Sequence, residues 1–205
     1  VRHQKYLIYI SIFIYTISPV WCLDRLLNQQ DQIIELEQFK GKYLVLEWLN
    51  FSCHMLRGHY ENLHIQRAQS KLKKMGATWI SVLSQGKGQP SYFSNRSELQ
   101  NALNHYSWNG DHALRDEQGI WGQHFLAKKT PYFLLINPKG DIIYRGALDE
   151  SNPFTHNEKS LEKAKNFLAM AMEQDRRGEK VKVPFSQSYG CPIKYGEKLN
   201  VIGGN

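Results

Sequence analysis

The residue types able to do chemistry in this chain gather around one cysteine. Cys53 is followed by His54, Met55 and His59 and preceded, six residues earlier, by Glu47. A thiol reacts as its thiolate, which is favoured where the free N–H groups and positive dipole end of a helix N-terminus face the sulfur. The stretch at 43–56, YLVLEWLNFSCHML, has the form that would place it so. Its apolar run with Val45 and Trp48 predicts a buried strand, Asn50, Phe51 and Ser52 interrupt it, and helix formers follow Cys53. Alternation gives Glu47 the facing of Val45 and Leu49, in the core, where a carboxyl is costly without a partner or a task. Plainer readings stay open beside these: Cys53 as a small buried hydrophobe, and Glu47 at the wet end of the strand.

The same short segment offers a second chemistry. Cys53, His54, Met55 and His59 supply thiolate, imidazole and thioether, a soft donor set suited to Cu(I). Successive residues on a helix point in different directions, so these donors converge only if 53–55 is not yet helical. His59, His64 and the other histidines are expected on the surface.

The chain has 205 residues with three cysteines and a formal charge of +7. It is long enough for one domain with a proper core, and it shows no repeat or low-complexity block. Arg2, His3 and Lys5 precede an apolar run at 6–20, the form of a signal peptide, so 1–22 is expected as a signal peptide or N-terminal anchor. The end of that run, Pro19-Val20-Trp21-Cys22, lacks a small-residue cleavage pair, and a lipid-modified Cys22 finds no support in its neighbours. Removing Arg2 and Lys5 from the 26 basic side chains leaves 24 against 19 acidic, a mild excess scattered along the chain. Without an accompanying motif this reads as solvated surface, and nucleic acid is not expected as a partner. Membrane contact is expected only through the N-terminal segment. If the leader is removed at or beyond Cys22, Cys53 and Cys191 are left, an even pair in an oxidising compartment, periplasmic or membrane-tethered facing the periplasm.

The elements needed to position Cys53 can be read in order. A helix is predicted from Cys53 to about Met75, closed by Gly76, and 77–83 (ATWISVL) is a second apolar strand, parallel to the first. A helix with Ser97 as N-cap follows, then a loop over 108–119 and a short helical segment at 120–125 turning Trp121 and Phe125 inward. Thr130-Pro131 opens a strand at 132–136, and the turn Asn137-Pro138-Lys139-Gly140 returns it as a hairpin through 141–147. A last amphipathic helix is predicted from Ser160 to about Arg177. Beyond it, 179–205 carries Cys191 as a tail lying across the surface.

From about Leu36 to Arg177 the sequence resembles the thioredoxin-like superfamily. The resemblance rests on the strand running into a helix-capping cysteine, Thr130-Pro131 before the next strand, and the NPKG hairpin. More narrowly, LEWLNFSCHMLRGHY with the terminal SYGCPIKY is similar to exported redoxin-domain (AhpC/TSA-like) proteins with a YGC motif in the tail. The resemblance implies an α/β three-layer sandwich with a central mixed sheet over 23–178. It also implies that Glu47 stands where thioredoxins keep a proton-handling carboxylate, and that Thr130 and Pro131 form a cis-proline loop binding an extended substrate. The departures are specific. Leu56 replaces the second cysteine of a dithiol site and Ser52 its usual tryptophan. Asn50 and Leu46 stand where a peroxiredoxin needs threonine and proline, which removes the peroxidase template.

Three functions fit these residues. In thiol–disulfide exchange with protein thiols or disulfides, Cys53 is the nucleophile, His54 and the helix terminus lower its pKa, Glu47 handles a proton, and no cofactor is needed. Cys191 is then either the resolving thiol or a permanent staple for the tail. In metal delivery the cofactor is copper. In a non-catalytic interaction module a Cys53–Cys191 bridge fixes the tail, and Tyr92, Phe93 and Trp108 serve either partner binding or packing.

Overall fold

The computed structural model describes residues 25–151 and 163–196. The expected export segment at 1–22 lies outside them. A seven-stranded mixed sheet runs through the domain. Its members, in chain order, are β1 (Leu26–Leu27), β2 (Ile33–Ile34), β3 (Tyr43–Trp48), β4 (Ala77–Leu83), β5 (His112–Arg115), β7 (Tyr132–Ile136) and β8 (Ile142–Gly146). The spatial order is β2-β1-β5-β4-β3-β7-β8. β3, β4 and β5 are parallel neighbours, while β7 runs antiparallel to β3 and β8 to β7.

β3 sits at the centre because every one of its residues is buried. Its alternation divides the core in two. Tyr43 and Val45 face α1 (His54–Glu61), α2 (His64–Lys74), α3 (Arg96–His105) and α5 (Phe167–Arg176). Leu44, Leu46 and Trp48 face the 3-10 turn Leu36–Phe39 and α4 (Ile120–His124). Each large side chain buried this way contributes about 1.5–3 kcal/mol. The result is the three-layer sandwich with a mixed sheet that the resemblance implied. Among the described residues no helix is long and apolar enough to cross a membrane.

Four local expectations are corrected. The helix after Cys53 is two helices, because Leu63 takes a left-handed conformation (φ 55°). At the end of α1 the Gly58 and Tyr60 carbonyls keep backbone donors, the Asn62 N–H at 3.3 Å and the Leu63 N–H at 3.0 Å, and each gains a side-chain donor, Asn62 Nδ2 at 2.7 Å and Gln66 Nε2 at 2.9 Å. The N-cap of α3 is Asn95, two residues ahead of Ser97. Its Oδ1 accepts the Glu98 N–H at 3.0 Å while Glu98 Oε2 accepts the Ser94 N–H at 3.0 Å. The loop over 108–119 contains β5, paired to β4 from Ile80↔His112 to Leu83↔Arg115. The last helix starts at Phe167, capped by Asn166 Oδ1 on the Ala169 N–H at 2.8 Å, and the predicted start at 160–162 lies outside the described residues.

The described part of the tail, to residue 196, is fastened along its length. It runs beside β8, with Arg145 N–H on Pro184 O and Ser186 N–H on Arg145 O, both at 3.1 Å. It then forms a two-stranded ribbon in which β9 (Cys191–Pro192) lies antiparallel to β6 (Lys129–Thr130). Ile193 N–H to Lys128 O at 3.0 Å and Gly86 N–H to Lys194 O at 2.8 Å continue the strap beyond it.

Candidate active site

Where β3 ends, a side-chain turn delivers the cysteine. Asn50 Oδ1 accepts the Ser52 N–H at 2.9 Å, and Asn50 O accepts the Cys53 N–H at 2.9 Å. Cys53 is then the N-cap of α1 in an extended conformation (φ −79°, ψ 114°). Cys53 therefore stands at the N-terminus of an eight-residue helix, at the positive end of its dipole, without a side-chain capping hydrogen bond.

Cys53 is joined to Cys191 by a disulfide between residues 138 positions apart, with Cα atoms separated by 5.5 Å. The partner is set in place by backbone. Thr130, whose peptide to Pro131 is cis, pairs antiparallel with Cys191. The Cys191 N–H donates to Cys53 Sγ at 3.2 Å, and the Thr130 carbonyl oxygen lies 3.1 Å from the same sulfur. These neighbours act in opposite senses once the bridge opens. The Cys191 N–H and helix amides stabilise a Cys53 thiolate, whereas the carbonyl accepts a hydrogen bond from the thiol.

The two sulfurs differ in access. Cys53 is fully buried, with 0% exposure, whereas Cys191 is half-buried. His54 is exposed and its Nδ1 is 4.0 Å from Cys191 Sγ, so it stands at the tail sulfur. A cavity of about 790 Å³ opens beside it, lined by His54, Lys129, Phe167, Ser186, Tyr189 and Cys191 among others, and not by Cys53. A larger cavity of about 990 Å³, along α2 and the end of α3, touches neither sulfur and has no part in this chemistry.

Glu47 lies in the core with 0% exposure. Burial pushes its carboxyl above the usual carboxylate range, against hydrogen bonds that favour the ionised form. Those bonds come from Ser81 Oγ at 2.6 Å, Trp79 Nε1 at 2.9 Å and Tyr60 Oη at 2.9 Å. Trp108 Nε1 donates to Ser81 Oγ at 2.9 Å, which ties Trp108 into this network. Phe93 packs against the same core cluster, and Tyr92 Oη donates to Glu117 Oε2 at 3.2 Å.

The donors drawn for copper have other partners in this structure. Cys53 is in the disulfide, Met55 is buried in the core, His54 stands by Cys191, and His59 Nε2 is 2.6 Å from Tyr189 Oη. Among the described residues no three His, Cys, Asp or Glu side chains group as a metal site. The expectation that His59 and His64 lie on the surface is corrected, since they are 0% and 8% exposed and their rings stack at 5.3 Å. Each is held by a side chain far away in sequence, His59 by Tyr189 and His64 by hydrogen bonding to Asp149. Burial raises the Asp149 carboxyl, but its bonds to His64 and Ser151 prevail and hold it below the usual range. Sequence reasoning gave no individual role at the site to His64, Asp149, Tyr189 or Gly190. Only the last two carried a signal, as the residues directly before Cys191.

No protein-family model matches the chain, and no curated protein matches its sequence. Solved structures do resemble it. A hypothetical protein from Sinorhizobium meliloti 1021 is 17% identical over 86% of this chain and 93% of its own, with a TM-score of 0.69. An uncharacterised conserved protein from Geobacillus kaustophilus is 20% identical over 86% and 90%, with the same TM-score of 0.69. A secreted Mycobacterium tuberculosis disulfide oxidoreductase homologous to E. coli DsbE is 14% identical over 67% and 92%, with a TM-score of 0.48. With its mixed sheet, its cysteine capping the helix after β3 and its cis-proline before β7, this chain has a thioredoxin-like fold.

Proposed function

We propose that the protein is an exported thiol–disulfide oxidoreductase whose working pair is Cys53 and Cys191. The observation that carries this reading is the antiparallel pairing of Thr130 with Cys191, which lays the tail sulfur on that of Cys53, the N-cap residue of α1. In the reduced protein Cys53 attacks a disulfide of a partner protein, one partner sulfur leaves, and a Cys53–partner mixed disulfide forms. Cys191 then attacks Cys53, releasing the partner's second thiol and restoring the bridge. Withdrawal of the tail frees the Lys129–Thr130 edge for an extended segment of the partner. Glu47 handles a proton in this cycle, and the two sulfurs need no cofactor. Export rests on the charged and apolar run at 1–22 and suits a compartment where disulfides persist.

The competing reading is a permanent staple, and full burial of Cys53 favours it. Reduced Cys191→Ser protein separates the two. Exchange predicts mixed disulfides with partner proteins through Cys53, lost on treatment with a reductant and absent from the Cys53→Ser, Cys191→Ser double variant. A staple predicts a Cys53 inert to alkylation and to partners even after reduction. Metal content measured on the same reduced sample tests the copper reading independently.

A further inference from the structure

We propose that the oxidised protein takes its electrons through Cys191, so that the two sulfurs serve different partners: substrate disulfides meet Cys53 and the reducing thiol meets Cys191. This deepens the oxidoreductase reading and rests on it.

The argument is one of access and of leaving groups. A thiolate opens a disulfide by in-line attack on one sulfur, expelling the other, so the attacked sulfur must be reachable and the expelled one must bear charge well. Cys53 has 0% exposure beneath the strap, so it is not the sulfur first reached. Cys191 is half-buried and lines the cavity of about 790 Å³, and Cys53 does not. Charge left on Cys53 falls at the N-terminus of α1 and on the Cys191 N–H, 3.2 Å away. Charge left on Cys191 would have no helix terminus to meet. His54 Nδ1, 4.0 Å from Cys191 Sγ and exposed, stands where an incoming thiol gives up its proton.

The reductant is a thiol, and the step balances with it alone. RSH passes its proton to His54 and RS⁻ bonds to Cys191 Sγ. The Cys53–Cys191 bond breaks and its electron pair leaves on Cys53, giving RS–S–Cys191 and a Cys53 thiolate. A second thiolate of the same class attacks the R sulfur, producing RSSR and a Cys191 thiolate. Protons taken up by the two cysteine sulfurs complete the two-electron reduction. The Thr130 edge stays occupied by β9 throughout the first attack, so the reductant need not displace the strap to begin.

The probe is glutathione, added in limiting amount to the oxidised full chain and quenched in acid at short times. The sample is then alkylated and the adducts mapped by peptide mass spectrometry. The expected result is glutathione on Cys191 and the alkyl label on Cys53, with the reverse pattern roughly tenfold rarer or less. Glutathione chiefly on Cys53 would overturn this inference and leave the oxidoreductase reading standing. A bridge that glutathione does not open at all would overturn both. A second readout is the His54→Gln variant. Reduction of its bridge should be several-fold slower than in the parent, with a flatter pH profile, and an unchanged rate and profile would remove His54 from the step.

Discussion

Gly190 and Thr130 meet backbone to backbone: Gly190 has φ +113°, and a Cβ built on it would overlap the Thr130 carbonyl oxygen. The glycine ahead of Cys191 is therefore what lets the tail close on the cis-proline edge. Both the conformation and the contact exclude a side chain.

Gly190→Ala should weaken the docked tail without touching either sulfur. Strain at such a backbone angle costs about 1–3 kcal/mol. That strain falls on the closed form, so the bridge becomes easier to reduce, by about 20–60 mV at ~30 mV per 1.4 kcal/mol. Equilibration in thiol redox buffers measures the shift. An unchanged potential would mean that closure does not require the Gly190–Thr130 approach.

Glu47→Gln should alter the pH dependence of stability in a defined sense. Burial raises the folded carboxyl above its unfolded value, so the folded state holds its proton more tightly. Glu47 therefore contributes stability fully at pH below the unfolded value of about 4.5, and loses it as pH rises through the raised folded value. Glutamine can keep the network, with its oxygen at the Oε2 site accepting from Trp79 and Ser81 and its amide donating to Tyr60 Oη. Urea denaturation at pH 4 and pH 8 should show the variant gaining on the parent as pH rises. A difference that is flat or shrinks across that interval would refute the assignment.

The sequence disclosed those parts whose signals are local. Residues 43–48, 77–83 and 132–136 are apolar runs long enough to declare buried strands, and Thr130-Pro131 marks the start of β7 by itself. β5 was invisible because HALR has polar ends and no length, and it is a strand through its pairing with β4 and β1. The break at Leu63 was hidden for the opposite reason, since leucine is among the best helix formers and takes the left-handed turn only in this tertiary setting. At the site, Cys53 and its helix were legible from spacing and the cysteine count offered Cys191 as its partner, whereas the Thr130–Cys191 strand pairing that closes the bridge across 138 residues was not legible. The burial of His59 and His64 was missed alike, because their partners Tyr189 and Asp149 lie 130 and 85 residues away.

Asp149→Asn tests that buried histidine cluster. The folded Asp149 carboxyl is held low, so its contribution is present above the unfolded value of about 3.8 and lost as pH falls through the lowered folded value. At neutral pH the variant should lose about 1–3 kcal/mol, the cost of weakening a buried hydrogen bond to a charged group. The gap from the parent should close as pH is lowered past 4 in chemical denaturation. Persistence of the full gap in acid would mean that packing, not the His64–Asp149 bond, carries the effect.

Ser186→Ala tests how the strap is anchored. The donors around Ser186 satisfy one another in a ring: Ser186 O–H donates to Tyr144 Oη at 2.6 Å, Tyr144 O–H donates to Ala147 O at 2.6 Å, and Ala147 N–H donates to Ser186 Oγ at 2.9 Å. Ala147 is 3% exposed, so removing the serine oxygen leaves its N–H buried without that acceptor, at a cost of about 1–3 kcal/mol. Gly146 holds the ring tight, since a Cβ there would overlap Ser186. Amide exchange should therefore quicken at Ala147 and along the tail toward Cys191, while the buried amides of β3 stay protected. If the anchor holds Cys191 over Cys53, the bridge in Ser186→Ala protein is also easier to reduce than in the parent. Faster exchange confined to Ala147, with the tail amides and the potential unchanged, would show that the ring stabilises the end of β8 and not the closed strap.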